Sequence, residues 1–348
     1  MSPTWPDLLT TLVNRQDLDH ENTAWAMNEI LSGAASPVQV AGFMVALQAK
    51  GATPDEMNGL VTAMLDNARP IELPSREAVD IVGTGGDRAN TVNISTMASM
   101  VATAAGAKVV KHGNRAASSK SGTADCLEAL GVVLDLDPSL QSRVFEEVGI
   151  VFLFASHYHP SLRHAALPRR ELGIRTTFNY LGPLANPARP TAQAIGVADR
   201  VVAALVADVV AGRGNRGLVF HGGDGLDELT TTTTSDVWVI REGRVVQTTL
   251  DPTELGIAVA TKEDLVGGEP EFNAQVVRDT FAGRTGAVRD IVLLNAAAAI
   301  LAFDGPDPDA DLTEQFREPL ARATAAIDSG EAARLLKRWV ALTQSLAS

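Results

Sequence analysis

The apolar positions of this chain change their period near residue 78. Before it, from Thr4 to Ala68, they recur at helical spacing only. One predicted helix runs from about Glu21 to Leu31 and stops at Gly33. A second has Ser36 as N-cap, Pro37 at the first helical position and Gln39 at the capping-box position, and closes at Lys50-Gly51. The next repeats the signal with Thr53, Pro54 and Glu56 and sets Met57, Leu60, Val61, Met64 and Leu65 on one stripe. Prolines at both ends mark 69–75 as a linker. From Ala78 onward short apolar runs alternate with amphipathic segments: strands at 79–82, 108–111, 132–134, 151–154 and 217–221, and helices at about 94–105, 124–130, 138–148 and 200–212. A hairpin is predicted at 237–246, and helices at 273–281, 289–302 and 319–346 close the chain. Such alternation predicts an α/β fold with a largely parallel central sheet covered by helices, preceded by a small all-α domain. The expected boundaries are 1–72 for the helical domain and 73–348 for the α/β domain.

Composition narrows the class. At 348 residues, 45% apolar and 20% charged, the chain has the make-up of a globular protein of one large and one small domain. Its longest apolar segment, near 292–303, is alanine-rich, interrupted by Asn295 and too short to span a bilayer, and the first residues lack a basic and an apolar region, so export is not expected. A single cysteine, Cys126, excludes an intramolecular disulfide. These features predict a cytoplasmic protein. The net charge of −13 argues against nucleic-acid or membrane-surface partners, which need a broad basic face.

Against that acidic background one stretch is inverted. Between Lys108 and Lys120 there are four Lys or Arg residues and no acidic one, which makes a focused positive patch in a repelling field. Just upstream, strand 79–82 ends in Gly83-Thr84-Gly85-Gly86-Asp87, and Asn93 or Ser95 can cap the helix that follows. Free N–H groups at that helix start suit phosphate. The pattern G-x-x-x-x-G-K-[ST] is absent and Gly83–Asp87 does not complete G-x-G-x-x-G, so the common nucleotide loops are excluded. Further on, Gly222–Glu228 follows a strand. Its glycine-rich turn can aim the adjacent Asp227 and Glu228 the same way, and hard oxygen ligands suit magnesium, although taken alone the stretch reads as an acidic surface turn. The run 157–187 breaks the alternation with three histidines and four arginines, but the lack of a nearby cysteine or an H-E-x-x-H argues against zinc.

GTGGD at 83–87, NIST at 93–96, KHGNR at 111–115, SSKSG at 118–122 and GDGLDELT at 223–230, in this order, closely resemble the anthranilate phosphoribosyltransferase family, and the resemblance covers nearly the whole chain. It implies the nucleoside phosphorylase/phosphoribosyltransferase-like fold, with a segment at about 160–190 returning to the helical domain. The implied reaction joins anthranilate to 5-phosphoribosyl 1-diphosphate in tryptophan biosynthesis. The resemblance places the phosphoribosyl diphosphate on Gly83, Gly86, Asp87, Thr91, Asn93, Ile94, Ser95 and Thr96, and on Lys111, His112, Gly113, Asn114, Arg115, Ala116, Ala117, Ser118, Ser119 and Thr123. Anthranilate falls to Gly83, Asn114 and Arg169, with Arg170 as the close competitor for the carboxylate. Mg2+ falls to Ser95, Asp227 and Glu228. Lys111 and His112 are the expected catalytic pair, His112 as an orienting residue rather than a base. A homodimer through the N-terminal helices is a further implication. Two rivals stay open at this point, a pyrimidine nucleoside phosphorylase-like enzyme and a nucleic-acid-binding relative of the fold.

Overall fold

A computed structural model describes residues 3–115 and 120–347. Four helices open the chain, α1 (Trp5–Val13), α2 (His20–Ser32), α3 (Pro37–Lys50) and α4 (Pro54–Asp66). Both capping boxes read from the sequence are formed, Ser36 with Gln39 and Thr53 with Glu56. The chain continues through β1 (Val79–Gly83), α5 (Ile94–Ala104), β2 (Val109–Gly113), α6 (Thr123–Leu130), α7 (Gln141–Val148), β3 (Ile150–Phe154), α8 (Ala155–Tyr158) and α9 (Arg163–Leu172). Then come β4 (Ala192–Gly196), α10 (Arg200–Gly212), β5 (Arg216–Gly222), β6 (Ser235–Arg241), β7 (Arg244–Leu250), α11 (Pro270–Phe281), α12 (Ala287–Asp304), α13 (Leu312–Asp328) and α14 (Glu331–Ala347).

Two compact units divide these elements, one made of Met1–Pro70 with Ala155–Pro187, the other of Ile71–Phe154 with Ala188–Ser348. The first is helical. Its core joins Trp5, Phe43 and Phe178 edge to face, and Glu56 is buried because its carboxylate takes the Leu18 N–H and the Lys50 ammonium. Burying a carboxylate is costly unless it is paired and hydrogen-bonded in this way.

The second unit is built on one seven-stranded sheet in the order β3-β2-β1-β4-β5-β6-β7. The first five strands are parallel, and β6 and β7 add an antiparallel edge. Because the chain moves outward from β1 to β3 and then returns to β4 beside β1, the strand order reverses between β1 and β4. In an open α/β sheet, crevices form at the carboxyl ends of the strands on either side of such a reversal.

Three expectations need correction. Residues 132–134 are not a strand: Val132, Leu134 and Leu136 are buried in alternation, but the Val133 N–H goes to Thr343 on α14 rather than to the sheet. A strand the sequence did not reveal, β4, supplies the missing central position. The last helix is two, because Gly330 turns left-handed (φ 75°) after α13, and Pro319 lies inside α13 rather than at a helix start.

Candidate active site

Gly83 at the end of β1 is paired in register with Gly196 at the end of β4, and Asp227 lies over that pair. The closeness is what demands glycine: a Cβ on Gly83 would come within 2.1 Å of Asp227 Oδ2, and one on Gly196 within 1.7 Å of the Asp227 carbonyl oxygen. The Gly85 N–H donates to Asp227 Oδ2 at 2.7 Å, so the glycine loop holds the carboxylate by its backbone. The switch point between β1 and β4 is thus roofed by an acid.

Glu228 completes the pair from the next position, and its carboxylate accepts the backbone N–H of Ser95 at the start of α5. Lys111, on β2 and buried, donates to the Ile81 carbonyl and, at 3.2 Å, to Ser95 Oγ. A buried ammonium beside these carboxylates feels two opposed effects. Burial lowers its pKa and prevails, while Asp80, Glu228 and Asp227 pull the other way. Burial, reinforced by the neighbouring Asp87, pushes the Asp227 carboxyl up to about 7. Burial and Asp227 raise Glu228 well above the usual range, against the opposing charge of Lys111. Three carboxylates therefore meet around one lysine, with repulsion left over.

That surplus fits a divalent cation. Among the described residues no three His, Cys, Asp or Glu side chains close into a cage. Magnesium needs none, since it keeps several waters and binds through one or two carboxylates together with substrate phosphates. Asp227, Glu228 and the Ser95 hydroxyl are hard oxygen donors of the right kind.

The other expected residues divide between the two units. Gly86 and Asp87 lie in the loop after β1, where Asp87 interacts with Asp227 and accepts the Ala89 N–H. Thr91 forms an antiparallel bridge with Val266, which pins the chain before α5. Asn93 stands at the N-cap position of α5, but its side chain makes no cap bond and turns instead to Ser121 and Asn273. Thr96, buried on the first turn of α5 that Ile94 opens, donates to Thr123 at the start of α6 (3.4 Å), which ties the two loops together. His112 is buried with its main-chain N–H on Asp80 at 3.1 Å, and Gly113 ends β2 against the Phe152 ring. Asn114 is exposed and accepts the following N–H. The Arg115 guanidinium is bound to Asp125 and to both oxygens of Glu128, so much of its charge is already answered on α6. Ala116, Ala117, Ser118 and Ser119 lie outside the described residues. Arg169 belongs to the helical unit, half-buried near the end of α9 with burial lowering its pKa, and Arg170 beside it is exposed.

Three participants lie outside the sequence motifs. Asp80 carried a signal, an acid inside an apolar strand, and it is fully buried. Gly196 and Asn273 carried none, since their importance arises only from what folds against them.

Comparison with known proteins gives the geometry a family. The helical bundle domain of the glycosyl transferase family matches residues 6–68, and its a/b domain matches 75–333. The chain is 59% identical over 341 residues to an anthranilate phosphoribosyltransferase of Arthrobacter sp. (strain FB24), covering 98% of this chain and 96% of that protein. Among solved structures it is similar to the anthranilate phosphoribosyltransferase of Thermus thermophilus, with a TM-score of 0.89, 41% identity and coverage of 97% and 99%. It also matches the Saccharomyces cerevisiae enzyme in complex with PRPP and Mg, with a TM-score of 0.87, 26% identity and 98% of each chain covered. An acidic pair over the switch point, a glycine loop beneath it and similarity along almost the entire length agree on one conclusion, that this chain belongs to the anthranilate phosphoribosyltransferase family.

Proposed function

We propose that the chain transfers the phosphoribosyl group of 5-phosphoribosyl 1-diphosphate to the amine of anthranilate, giving N-(5-phosphoribosyl)anthranilate and diphosphate in L-tryptophan biosynthesis. The observation that carries this reading at the level of the site is the seat of Asp227 and Glu228 over the carboxyl ends of β1 and β4. The bond from the anomeric carbon to the diphosphate oxygen breaks, a bond to the aromatic nitrogen forms, and the nitrogen's proton leaves as it becomes cationic. No nucleophilic side chain is needed. The protein's task is positioning and electrostatic stabilisation of a cationic ribosyl centre.

The glycine loop with Asp87 and Thr91, the start of α5 from Asn93 to Thr96, and the segment from Lys111 to Ser119 with Thr123 take the phosphoribosyl diphosphate. Asp227, Glu228 and the Ser95 hydroxyl hold magnesium, which supplies positive charge to the departing diphosphate when bound. Lys111 contributes a fixed charge at the same place, and its bond to Ser95 supports that role. His112 orients. Its burial and the tie of its main chain to Asp80 favour this role over proton transfer. Arg169 clamps the anthranilate carboxylate, a task for which a planar two-pronged cation is suited, with Gly83 and Asn114 at the acceptor. The helical domain, with residues 160–190 returning to it, also forms a homodimer. Val13 on α1 and Val38 on α3 support this, being apolar and 72% and 81% exposed.

The test is loss of anthranilate fluorescence with the purified protein, phosphoribosyl diphosphate and magnesium, coupled to an enzyme that consumes the product. EDTA and the Asp227→Asn/Glu228→Gln double variant should abolish the loss. Arg169→Ala should raise the KM for anthranilate more than Arg170→Ala does. A folded protein that binds phosphoribosyl diphosphate but leaves anthranilate unchanged removes anthranilate as the acceptor.

A further inference from the structure

Asn273, on α11, is 2% exposed, and its amide bridges the Gly268 main chain and the Asn93 side chain. Its Oδ1 accepts the Gly268 N–H at 2.8 Å, and its Nδ2 donates to Asn93 Oδ1 at 2.8 Å. Asn93 in turn donates through Nδ2 to the Ser121 carbonyl at 3.2 Å and accepts from Ser121 Oγ at 3.4 Å. The direction of both amides is therefore fixed from the ends. An N–H at Gly268 admits only the Asn273 oxygen, and a carbonyl at Ser121 admits only the Asn93 nitrogen.

The segment that carries Gly268 is itself fastened to the chain before α5. Val92 N–H donates to Leu265 O at 2.9 Å, Gly267 N–H to Asn90 O at 2.8 Å, and Thr91 bridges Val266. Asn273 closes this zipper at its far end. It also explains why Asn93 fails to cap its own helix: its side chain is committed elsewhere, which leaves the first turn of α5 uncapped by it.

Resting on the assignment of Asn93 and the second loop to the diphosphate donor, we propose that Asn273 is a positioning residue for the reaction, which holds Asn93 and through it Ser121 so that the two donor-binding loops share one fixed geometry. It touches no substrate. Its effect should therefore appear in donor binding and not in acceptor binding.

Asn273→Asp separates this from a merely structural role. The carboxylate keeps an acceptor for Gly268 but faces Asn93 Oδ1 with a second oxygen, so the link to Asn93 is lost; the charge it also buries is controlled by the neutral Asn273→Ser, which should raise the same KM. N273D should raise the KM for phosphoribosyl diphosphate about tenfold, the size of one lost hydrogen bond, while the KM for anthranilate stays unchanged. N93A should raise the same KM, and N273D added to N93A should raise it no further. Where N273D does not fold, Asn273→Ser, which drops the reach to Asn93, is held to the same comparison. If N93A weakens donor binding and N273D does not, or if the two effects add, Asn273 does not act through Asn93 and the inference is overturned. If neither variant changes the donor KM, the assignment of Asn93 to the donor fails and the inference with it.

Discussion

Asn295 grips Leu229 by both of its main-chain groups. Its Oδ1 accepts the Leu229 N–H at 3.0 Å and its Nδ2 donates to the Leu229 carbonyl at 2.8 Å, in the manner of a second peptide strand. The same nitrogen reaches the Ile291 carbonyl one turn back on α12. Asn295 is fully buried in an otherwise apolar helix, and Leu229 directly follows the acidic pair. A side chain 66 residues away thus fixes where Asp227 and Glu228 can stand.

Replacing Asn295 by leucine should keep the volume and orphan both Leu229 groups. A buried unsatisfied group costs about 1–3 kcal/mol, so the midpoint of urea unfolding should drop clearly, with m unchanged. Activity at saturating substrates should fall further than the folded fraction does. A variant as stable and as active as the parent would show that Leu229 finds other partners.

Gly83 yields the sharpest steric prediction. Its φ is ordinary, so glycine is required there for space and not for conformation: the position of an added Cβ is 2.1 Å from Asp227 Oδ2. Gly83→Ala must displace the carboxylate. A displacement of about 1 Å at a reacting centre can cost about a hundredfold, and that loss in kcat/KM is expected, with a higher magnesium requirement. Unchanged magnesium dependence in an inactive G83A would point to substrate contact at Gly83 instead.

Because burial and Asp87 push Asp227 up to about 7, protons would compete near neutrality with the magnesium proposed for this carboxylate. The sign is that of a raised carboxyl: without metal, the stability tied to the neutral form is complete below the ordinary value of 3.8 and is lost as pH rises through about 7. Magnesium bound at the proposed site would reverse that loss. Calorimetric titration should therefore show apparent magnesium affinity, and the melting temperature gained from it, increasing between pH of about 6 and about 8. Asp227→Asn should flatten the trend, and equal affinity at both pH values in the parent would remove Asp227 from the metal site.

Much of this architecture was legible in the chain because its signals are local. Ser36-Pro37-Gln39 and Thr53-Pro54-Glu56 mark helix starts by chemistry within four residues, and α3 and α4 begin where they predict. The strand that completes the switch point was not legible, since Ala192-Gln193-Ala194-Ile195-Gly196 has one β-branched residue and relies on β1 and β5 for its conformation. The same division holds at the site. Asp227 and Glu228 are visible as an acidic turn, and Asn295 stands out as an amide inside an apolar helix that supports the site from behind, although its partner Leu229, 66 residues away, does not. The need for Gly196 beneath the acidic pair and for Asn273 behind the loops comes from contacts spanning 31 and 180 residues, which no periodicity encodes.

In the helical unit, His159 is buried and its Nε2–H donates to the Ala185 carbonyl at 2.8 Å. Burial lowers its pKa, and the carbonyls of Ala185 and Met64, which favour the charged ring, do not overcome it. A lowered histidine contributes stability that is complete above the ordinary value of 6.5 and is lost as pH falls below it toward the folded value, because the unfolded chain takes up the proton first. Melting temperature should therefore fall between pH of about 7.5 and about 5.5, on the acid side of histidine's normal range. His159→Gln keeps a donor for Ala185 and does not titrate, so its melting temperature should fall less over the same interval. An identical fall in the variant would assign the acid sensitivity to another group.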